Sequence, residues 1–158
     1  MNFEHIPVLF EEVIEALNIR RDGIYIDGTV GGGGHSSGIC EKLSKTGTLI
    51  ALDRDVAALE AAKRKLDKYQ CSKKFIHANY SDIDIIAEVS EAKVQGILLD
   101  LGVSSFQLDN AGRGFSYMKD APLDMRMNEE DSLTAYEVVN TYPESDLTRI
   151  IREYGEEQ

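Results

Sequence analysis

The sequence of 158 residues contains no tryptophan, three prolines, two cysteines and no long apolar run. Cys40 and Cys71 are too few and too far apart for a zinc knuckle, and no histidine lies at ligand spacing from either. No apolar stretch approaches the length of a bilayer-spanning helix, and the first residues lack the basic start and apolar stretch of a secretory signal. These absences predict a cytoplasmic protein with no metal site, no membrane partner, and buried, reduced cysteines.

The charge of the chain is unevenly distributed. Hydrophobic residues make up 42 % and charged residues 28 %, which is typical of a soluble globular protein, and the net charge is −11. Residues 1–74 carry eleven Lys and Arg against eleven Asp and Glu, whereas residues 75–158 carry six against seventeen. Because all of the excess acid lies in the second part, the first part can still present a basic surface. Net charge therefore does not exclude a nucleic-acid partner.

Apolar segments alternate with helical patterns over the first two thirds of the chain. The predicted strands are Ile24–Asp27, Thr48–Leu52, Phe75–His77 and Val94–Leu99. The predicted helices are Val8–Leu17, His35–Leu43, Asp55–Tyr69 and Ile83–Val89, the last with Ser81 as its cap. This alternation implies an open, mostly parallel, doubly wound α/β sheet covered on both faces. Ligands in such sheets bind beyond the carboxyl ends of the strands, where Asp27, Asp53 and Asp100 are expected.

The pattern changes after Asp100. We predict a core over residues 1–105, with the first four strands, and a second region over residues 106–158. The second region begins with a long irregular segment, a feature that is usually functional inside a compact domain. Two helices are predicted to follow, one from Ser132 as N-cap to Val139, the other from Pro143 to Tyr154.

A run of four glycines, Gly31–Gly34, joins the first strand to the next helix. Glycine permits positive φ and close approach of a ligand to the backbone, although such a run can also be a flexible turn. Asp53 follows about twenty residues later at the end of the second strand, where an acid accepts hydrogen bonds from a ribose diol. The alternative for Asp53 is a helix N-cap.

The spacing of the loop separates two cofactors that carry an adenosine ribose. A pyrophosphate binder favours Gly-x-Gly-x-x-Gly, whereas here Asp27 precedes Gly-Thr-Val-Gly-Gly-Gly-Gly-His. Asp27 would repel a pyrophosphate but attract the ammonium and sulfonium groups of S-adenosylmethionine (SAM). The pattern therefore favours SAM over NAD, with a nicotinamide-dependent oxidoreductase as the weaker alternative.

Four blocks of sequence, in order, resemble the bacterial small-subunit ribosomal RNA cytosine-N4 methyltransferase family (the MraW/RsmH type). The blocks are Asp27–Ser36, Leu99–Asp109, Arg113–Tyr117 and Pro122–Met127. The resemblance implies a Rossmann-like class I SAM methyltransferase fold that continues into a helical insertion. It also implies cofactor contacts at Gly33, Gly34, His35, Asp53, Tyr80, Asp100 and Gln107. For His35, either the backbone N–H binds the cofactor while the ring caps the helix, or the ring itself binds.

The implied reaction is transfer of a methyl group from SAM to the exocyclic N4 of a cytidine in small-subunit (16S) ribosomal RNA. Asp100 is the nearest candidate acceptor for that nitrogen, but Leu101-Gly102-Val103 follows it where amino-methyltransferases commonly have Pro-Pro and an aromatic residue. No catalytic residue is therefore assigned. The implied partner is ribosomal RNA or the small subunit. Arg113, Lys119 and Arg126 are candidates for phosphate contact, against the alternative of solvated surface charge.

The sequence departs from the family at two points. Position 106 is Phe where the family usually has Pro, which makes the turn before Gln107 less constrained. The family also continues beyond the last residue here, so we expect a shortened chain with weak SAM binding and little activity. In such a chain Gly96–Leu99 would be an open apolar edge, and a homodimer is predicted to cover it. The alternative function is a non-catalytic nucleotide-fold module that binds or self-associates.

Overall fold

A computed structural model describes residues 7–86 and 93–157, with the backbone alone for residues 105 and 106. Four strands form one parallel sheet in the order β3-β2-β1-β4. The strands are β1 (Ile24–Asp27), β2 (Thr48–Asp53), β3 (Ser72–His77) and β4 (Val94–Leu98). The predicted parallel α/β sheet is therefore confirmed. The strand order reverses between β1 and β4, and such switch points are where doubly wound sheets bind ligands.

Helices connect the strands and follow them. The helices are α1 (Phe10–Ala16), α2 (Gly34–Lys42), α3 (Val56–Leu66), α4 (Ser105–Asp109), α5 (Ala135–Thr141) and α6 (Glu144–Tyr154), with 3₁₀ turns at Tyr80–Asp82 and Ala111–Arg113. Within the described ranges, every helix is too short or too polar to cross a membrane. The same ranges contain no group of three His, Cys, Asp or Glu side chains that could hold a metal ion.

The core lies on the two faces of β1 and β2, because these are the central strands. On one face Ile26, Ile50 and Leu52 are almost completely buried. On the other face Tyr25 and Leu49 are equally buried, and they pack with side chains from α2 and α3. The alternation follows from the pleat, which turns successive side chains to opposite faces. Each fully buried large apolar side chain contributes about 1.5–3 kcal/mol, so these strands form the stable base of the site.

The two cysteines meet in this core. Cys40 lies on α2 and Cys71 immediately before β3, and both are free and buried. Burial, together with a hydrogen bond to the Cys71 side chain, raises the pKa of the Cys40 thiol well above its usual range. A buried thiol of this kind is a poor nucleophile. The predicted role as small buried residues is confirmed.

The chain divides into two compact units, Met1–Ser104 and Ser105–Gln158, here called the first and second unit. The first unit contains the sheet and α1–α3, and the second contains α4–α6. Among the second-unit residues whose side chains are described, the buried ones are both polar, Gln107 and Arg113. The two units are therefore stabilised by different kinds of interaction.

Several predicted helix boundaries were wrong. Residues 83–85 form a turn and not the start of a helix, and Asn79, not Ser81, caps the preceding 3₁₀ turn. Ile83 packs against the Ile26 cluster, so tertiary contact outweighs local helix propensity here. The rest of the predicted helix, residues 87–89, lies outside the described residues. In the second unit the N-cap of α5 is Thr134 and not Ser132, because Thr134 forms a capping box with Glu137.

Candidate cofactor site

The loop between β1 and α2 lies at the switch point of the sheet, and Asp27 holds its start. The Asp27 carboxylate accepts hydrogen bonds from the backbone N–H of Thr29 (3.1 Å) and from the Ser36 hydroxyl (2.6 Å). The side chain is 1 % exposed. Burial raises its pKa to about 6, against the lowering effect of the Ser36 and Thr29 hydrogen bonds. Asp27 therefore stabilises the loop from its buried side. The sequence predicted that this carboxylate would face the ammonium group of SAM, and its burial does not fit that prediction.

Asp53 connects the loop to the end of β2. One carboxylate oxygen accepts a hydrogen bond from the Gly31 N–H (2.8 Å), and the other accepts one from the Asp55 N–H (2.9 Å). Burial raises the pKa of Asp53. The N-cap of α3 is Asp55, which accepts from the Ala57 N–H. The alternative interpretation of Asp53 as a helix N-cap is therefore wrong. The Arg54 N–H also donates to this carboxylate, which leaves part of its acceptor capacity for a ligand hydroxyl.

The four positions of the run require glycine for different structural reasons. Gly31 and Gly33 have φ of 49° and 78°, in the left-handed region that favours glycine. A Cβ at Gly33 would also lie 3.3 Å from the Ala62 backbone on α3, and one at Gly34 would collide with Pro7. Among the residues that the structure describes, none has an atom within 4 Å of a Cβ placed at Gly32. Close helix packing therefore explains part of the run, and the surface beside Gly32 is open to a ligand.

Asp100 lies on the other side of the loop, two residues beyond β4. Its backbone N–H donates to the Thr29 hydroxyl (2.7 Å), which ties the chain after β4 to the loop after β1. Its carboxylate lies 3.5 Å from Nδ1 of His35, and its side chain is 55 % exposed. Because β1 separates β2 from β4, the ends of those two strands lie two strand spacings apart, about 10 Å. Asp53 and Asp100 therefore flank the glycine loop.

The His35 ring does not cap the helix that it opens. Gly33 is the N-cap of α2, with no side-chain cap. The ring is 6 % exposed, its Nε2 lies 3.1 Å from the Val8 carbonyl oxygen, and it stacks on Phe10 with ring centroids 6.0 Å apart. Of the two sequence-based alternatives, the capping ring is wrong. A cofactor contact through the His35 backbone N–H stays a prediction.

Tyr80 follows β3 and reaches the start of the loop. A Cβ placed on Gly28 would lie 3.2 Å from Tyr80 Cβ and 2.6 Å from Leu99 Cδ2. Gly28 therefore allows these two side chains to come together beside it. Tyr80 is 41 % exposed, which leaves part of its ring available to a planar ligand.

The remaining predicted residues belong to the second unit. Gln107 is on α4 and 5 % exposed, and its cofactor contact stays a prediction. Arg113 is also 5 % exposed and donates to the carbonyls of Arg126 (3.0 Å) and Met127 (2.9 Å). The Arg126 guanidinium binds both oxygens of Asp124 and the carbonyls of Glu129 and Asp131. Neither arginine is a solvated surface charge, whereas Lys119 is exposed.

Sequence reasoning missed three contacts of this site. Thr29, two residues after Asp27, has the spacing of a local Asx turn, so a signal for its hydrogen bond existed. Ser36 contacts Asp27 across the first turn of α2, and Val8 contacts His35 from 27 residues away. Neither of these contacts has a local pattern.

The sequence profile of the MraW methylase family matches residues 2–158. A protein of Clostridium botulinum (strain Kyoto / Type A2) named ribosomal RNA small subunit methyltransferase H is 56 % identical over 159 residues, covering 100 % of this chain and 51 % of the relative. A protein of the same name from Heliobacterium mobile is 52 % identical over 160 residues, again covering 100 % and 51 %. The chain thus spans about half the length of the curated relatives it matches.

Among solved structures, one from Clostridium thermocellum described as a candidate rRNA methylase superposes with a TM-score of 0.51. It is 14 % identical, and the match covers 64 % of this chain and 57 % of that one. At this identity the likeness concerns the fold alone, and it agrees with the parallel sheet described above. The family profile covers nearly every residue, including the glycine loop and both flanking acids. The chain belongs to the MraW methylase family.

Proposed function

We propose that this chain binds SAM at the glycine loop and is part of an enzyme that methylates the exocyclic N4 of a cytidine in small-subunit ribosomal RNA. The observation that carries the proposal is the hydrogen bond between Asp53 and Gly31, which joins an acidic strand end to the glycine loop at the switch point. Family membership and the names of the relatives support the reaction class. A cytoplasmic location remains part of the proposal.

The residues of the loop fit an adenosyl cofactor. Among the described residues, none approaches the surface beside Gly32, and Asp53 has acceptor capacity left for a ribose hydroxyl. Tyr80 has an exposed face for adenine, and the backbone N–H groups of Gly33, Gly34 and His35 lie in the first turn of α2. We assign the ribose to Asp53 and the cationic methionyl end to Asp100. For Gln107, the support for a cofactor contact is the family resemblance alone.

SAM, when bound, supplies an electrophilic methyl group. The chain has to hold the acceptor nitrogen in line with that methyl, because the lone pair of a cytosine N4 is delocalised into the ring. Asp100 is an exposed carboxylate two residues beyond β4, and an acceptor there would stabilise positive charge that develops on the nitrogen. We leave the role of proton acceptor unassigned.

NAD fits the same loop less well. Asp27 is enclosed beneath the loop, but Asp53 is partly exposed and Asp100 is exposed, so two carboxylates flank the space that a pyrophosphate would enter. Two negatively charged groups at about 4 Å repel each other by about 4 kcal/mol near a protein surface. This acidic surrounding favours a ligand whose charge is positive.

Calorimetry with SAM, its demethylated product S-adenosylhomocysteine and NAD tests the proposal. Wild type should bind the first two, and Asp53→Ala should weaken both about 10- to 100-fold, because hydrogen bonds to a charged group contribute about 1.5–3 kcal/mol. Asp67→Ala is the matched control. It removes the same charge, and Asp67 is exposed at the C-cap of α3. Binding of NAD instead would favour an oxidoreductase, and binding of none of the three would favour a non-catalytic module.

The partner side of the proposal is ribosomal RNA or the small subunit. A filter assay with tritiated SAM and deproteinised small-subunit RNA measures methyl transfer directly.

The homodimer also stays a prediction. Within the described residues β4 pairs with β1 alone, and Ile97 and Leu99 are 49 % and 43 % exposed. Light scattering that shows a monomer at high concentration would contradict a dimer through this edge.

A further inference from the structure

The buried ring of His35 connects two parts of the first unit that are far apart in sequence. Its Nε2 lies 3.1 Å from the carbonyl oxygen of Val8, and its Nδ1 lies 3.5 Å from a carboxylate oxygen of Asp100. Phe10 stacks on the ring with an interplanar angle of 17°. The ring is thus held from three sides and has little freedom to rotate.

The polarity of these contacts gives each ring nitrogen a separate task. A carbonyl oxygen only accepts, so Nε2 must carry a hydrogen and donate to Val8. Nδ1 then faces a carboxylate oxygen of Asp100 at 3.5 Å, an ion-pair distance at which the two groups attract when the ring carries a hydrogen on both nitrogens. The ring therefore bridges the Val8 carbonyl and the Asp100 carboxylate.

The Asp100 carboxylate depends on this contact for its orientation. In the described part of the chain, His35 is the side chain that pairs with it, while Thr29 binds only the Asp100 backbone. The side chain is 55 % exposed and lies beyond the end of β4, so no core packing restricts its rotamers. Without His35, the carboxylate would sample several rotamers.

The segment before α1 is seated on the first turns of α2. Gly34 leaves room for the Pro7 ring, and Gly38 leaves room for Phe10. Because both glycines lack a side chain, the segment approaches α2 closely enough for the Val8 carbonyl to reach the His35 ring. The segment Pro7–Phe10 is thereby part of the support of the site.

We propose that His35 is a positioning residue, whose ring, anchored on the Val8 carbonyl, orients the Asp100 carboxylate toward the cationic end of the cofactor. The inference rests on the proposed binding of SAM at this loop. It assigns the His35 ring a role that does not require contact with the cofactor, which leaves the His35 backbone free for binding.

Two amide substitutions separate the tasks of the two ring nitrogens. The amide of Asn reaches the position of Nδ1, so His35→Asn retains a donor for Asp100 and loses the Val8 contact. The longer Gln places its amide near the position of Nε2, so His35→Gln retains the Val8 contact and loses Asp100. We expect His35→Asn to bind SAM within about threefold of wild type and His35→Gln to bind about tenfold more weakly.

The ratio of affinities for SAM and S-adenosylhomocysteine distinguishes positioning from a general structural role. The two ligands differ by the positive charge on sulfur, so an oriented carboxylate favours SAM. We expect His35→Gln to lower this ratio and His35→Asn to leave it near the wild-type value. His77→Gln is the matched control, because the His77 ring also contacts a backbone carbonyl, that of Arg54 at 2.9 Å, and should not change the ratio. Equal loss of both ligands in His35→Gln would overturn the proposal.

A second readout does not depend on the cofactor. In guanidinium unfolding, the shifts caused by His35→Gln and Asp100→Asn should be non-additive, because the two side chains share one contact. Additive shifts would overturn the pairing of the two side chains. Absence of SAM binding by wild type would instead refute the proposed function. The unfolding measurements would still test the contact between His35 and Asp100.

Discussion

The two units of the chain differ in the kind of interaction that stabilises each one internally. The first unit buries large apolar side chains on both faces of its sheet, such as Ile26 and Leu49, each at 0 % exposure. In the second unit, among the described side chains, burial is reserved for Gln107 and Arg113. In its irregular segment the guanidinium groups of Arg113 and Arg126 donate to backbone carbonyls. Apolar burial stabilises the unit with the sheet, and polar networks stabilise the unit without one.

The two units also differ in how the surroundings of an acidic side chain shift its pKa. In the first unit, burial raises the pKa of Asp27 to about 6 because the carboxylate is removed from water. In the second unit, the Arg126 guanidinium holds the pKa of Asp124 at about 2. A change in pH should therefore affect the two units in opposite directions.

The largest expected effect is on the apolar core. Leu49→Ala should lower the free energy of unfolding of the first unit by about 2–5 kcal/mol, because it removes a completely buried side chain and leaves a cavity. Leu133→Ala, at a side chain that is 50 % exposed in the second unit, should change it by less than about 0.5 kcal/mol. Urea unfolding followed by circular dichroism measures both. Similar losses for the two variants would remove the contrast between the units.

Arg113→Ala should have the next largest effect. It leaves the carbonyls of Arg126 and Met127 without their donor, at a cost of about 2–3 kcal/mol to the second unit. Hydrogen exchange should show faster exchange in residues 110–131 and unchanged protection in β1 and β2. The matched control is Arg149→Ala, which removes an exposed contact to Glu153 and should have little effect. Faster exchange in the sheet would show that the units are not independently stabilised.

Asp27→Asn tests the buried acid beneath the glycine loop. A folded-state pKa of about 6, above the unfolded value near 4, means that the folded state binds the proton more tightly. Its stabilising contribution is present below pH 4 and is lost as pH rises through 6. We expect Asn to stabilise the first unit by about 2 kcal/mol at pH 7, with the gain disappearing below pH 4. A thermal unfolding series across pH measures it, and a gain that is independent of pH would contradict the titration.

The smallest effect concerns Asp124 and has the opposite sign. Its lowered pKa means that its contribution is present above pH 4 and is lost as pH falls through 2. Asp124→Asn should therefore destabilise the second unit slightly at pH 7, and the difference from wild type should vanish in strong acid. Asp120→Asn, at an exposed acid of the same segment, is the control. Stabilisation by Asp124→Asn would reverse the comparison.

The sheet could be predicted from the sequence because its signals are local. Short apolar segments alternate with helical patterns, and parallel pairing follows from the crossovers. The position of Asp53 relative to the glycine run is a spacing of the same kind, and the structure joins the two through Gly31. The helix predicted at residues 83–89 failed over its first turn, because packing of Ile83 against the core decided that segment.

The amino-acid sequence by itself determined the parallel sheet, the glycine loop, the acids at the strand ends and the family of the chain. Only the tertiary structure decided that Asp27 is enclosed by Ser36, that His35 joins Val8 to Asp100, and that Arg113 turns inward. The physical reason is that periodicity and spacing report on neighbours along the chain. A buried hydrogen bond depends on which donors and acceptors meet once water has been excluded, and this is settled by the packing of distant segments.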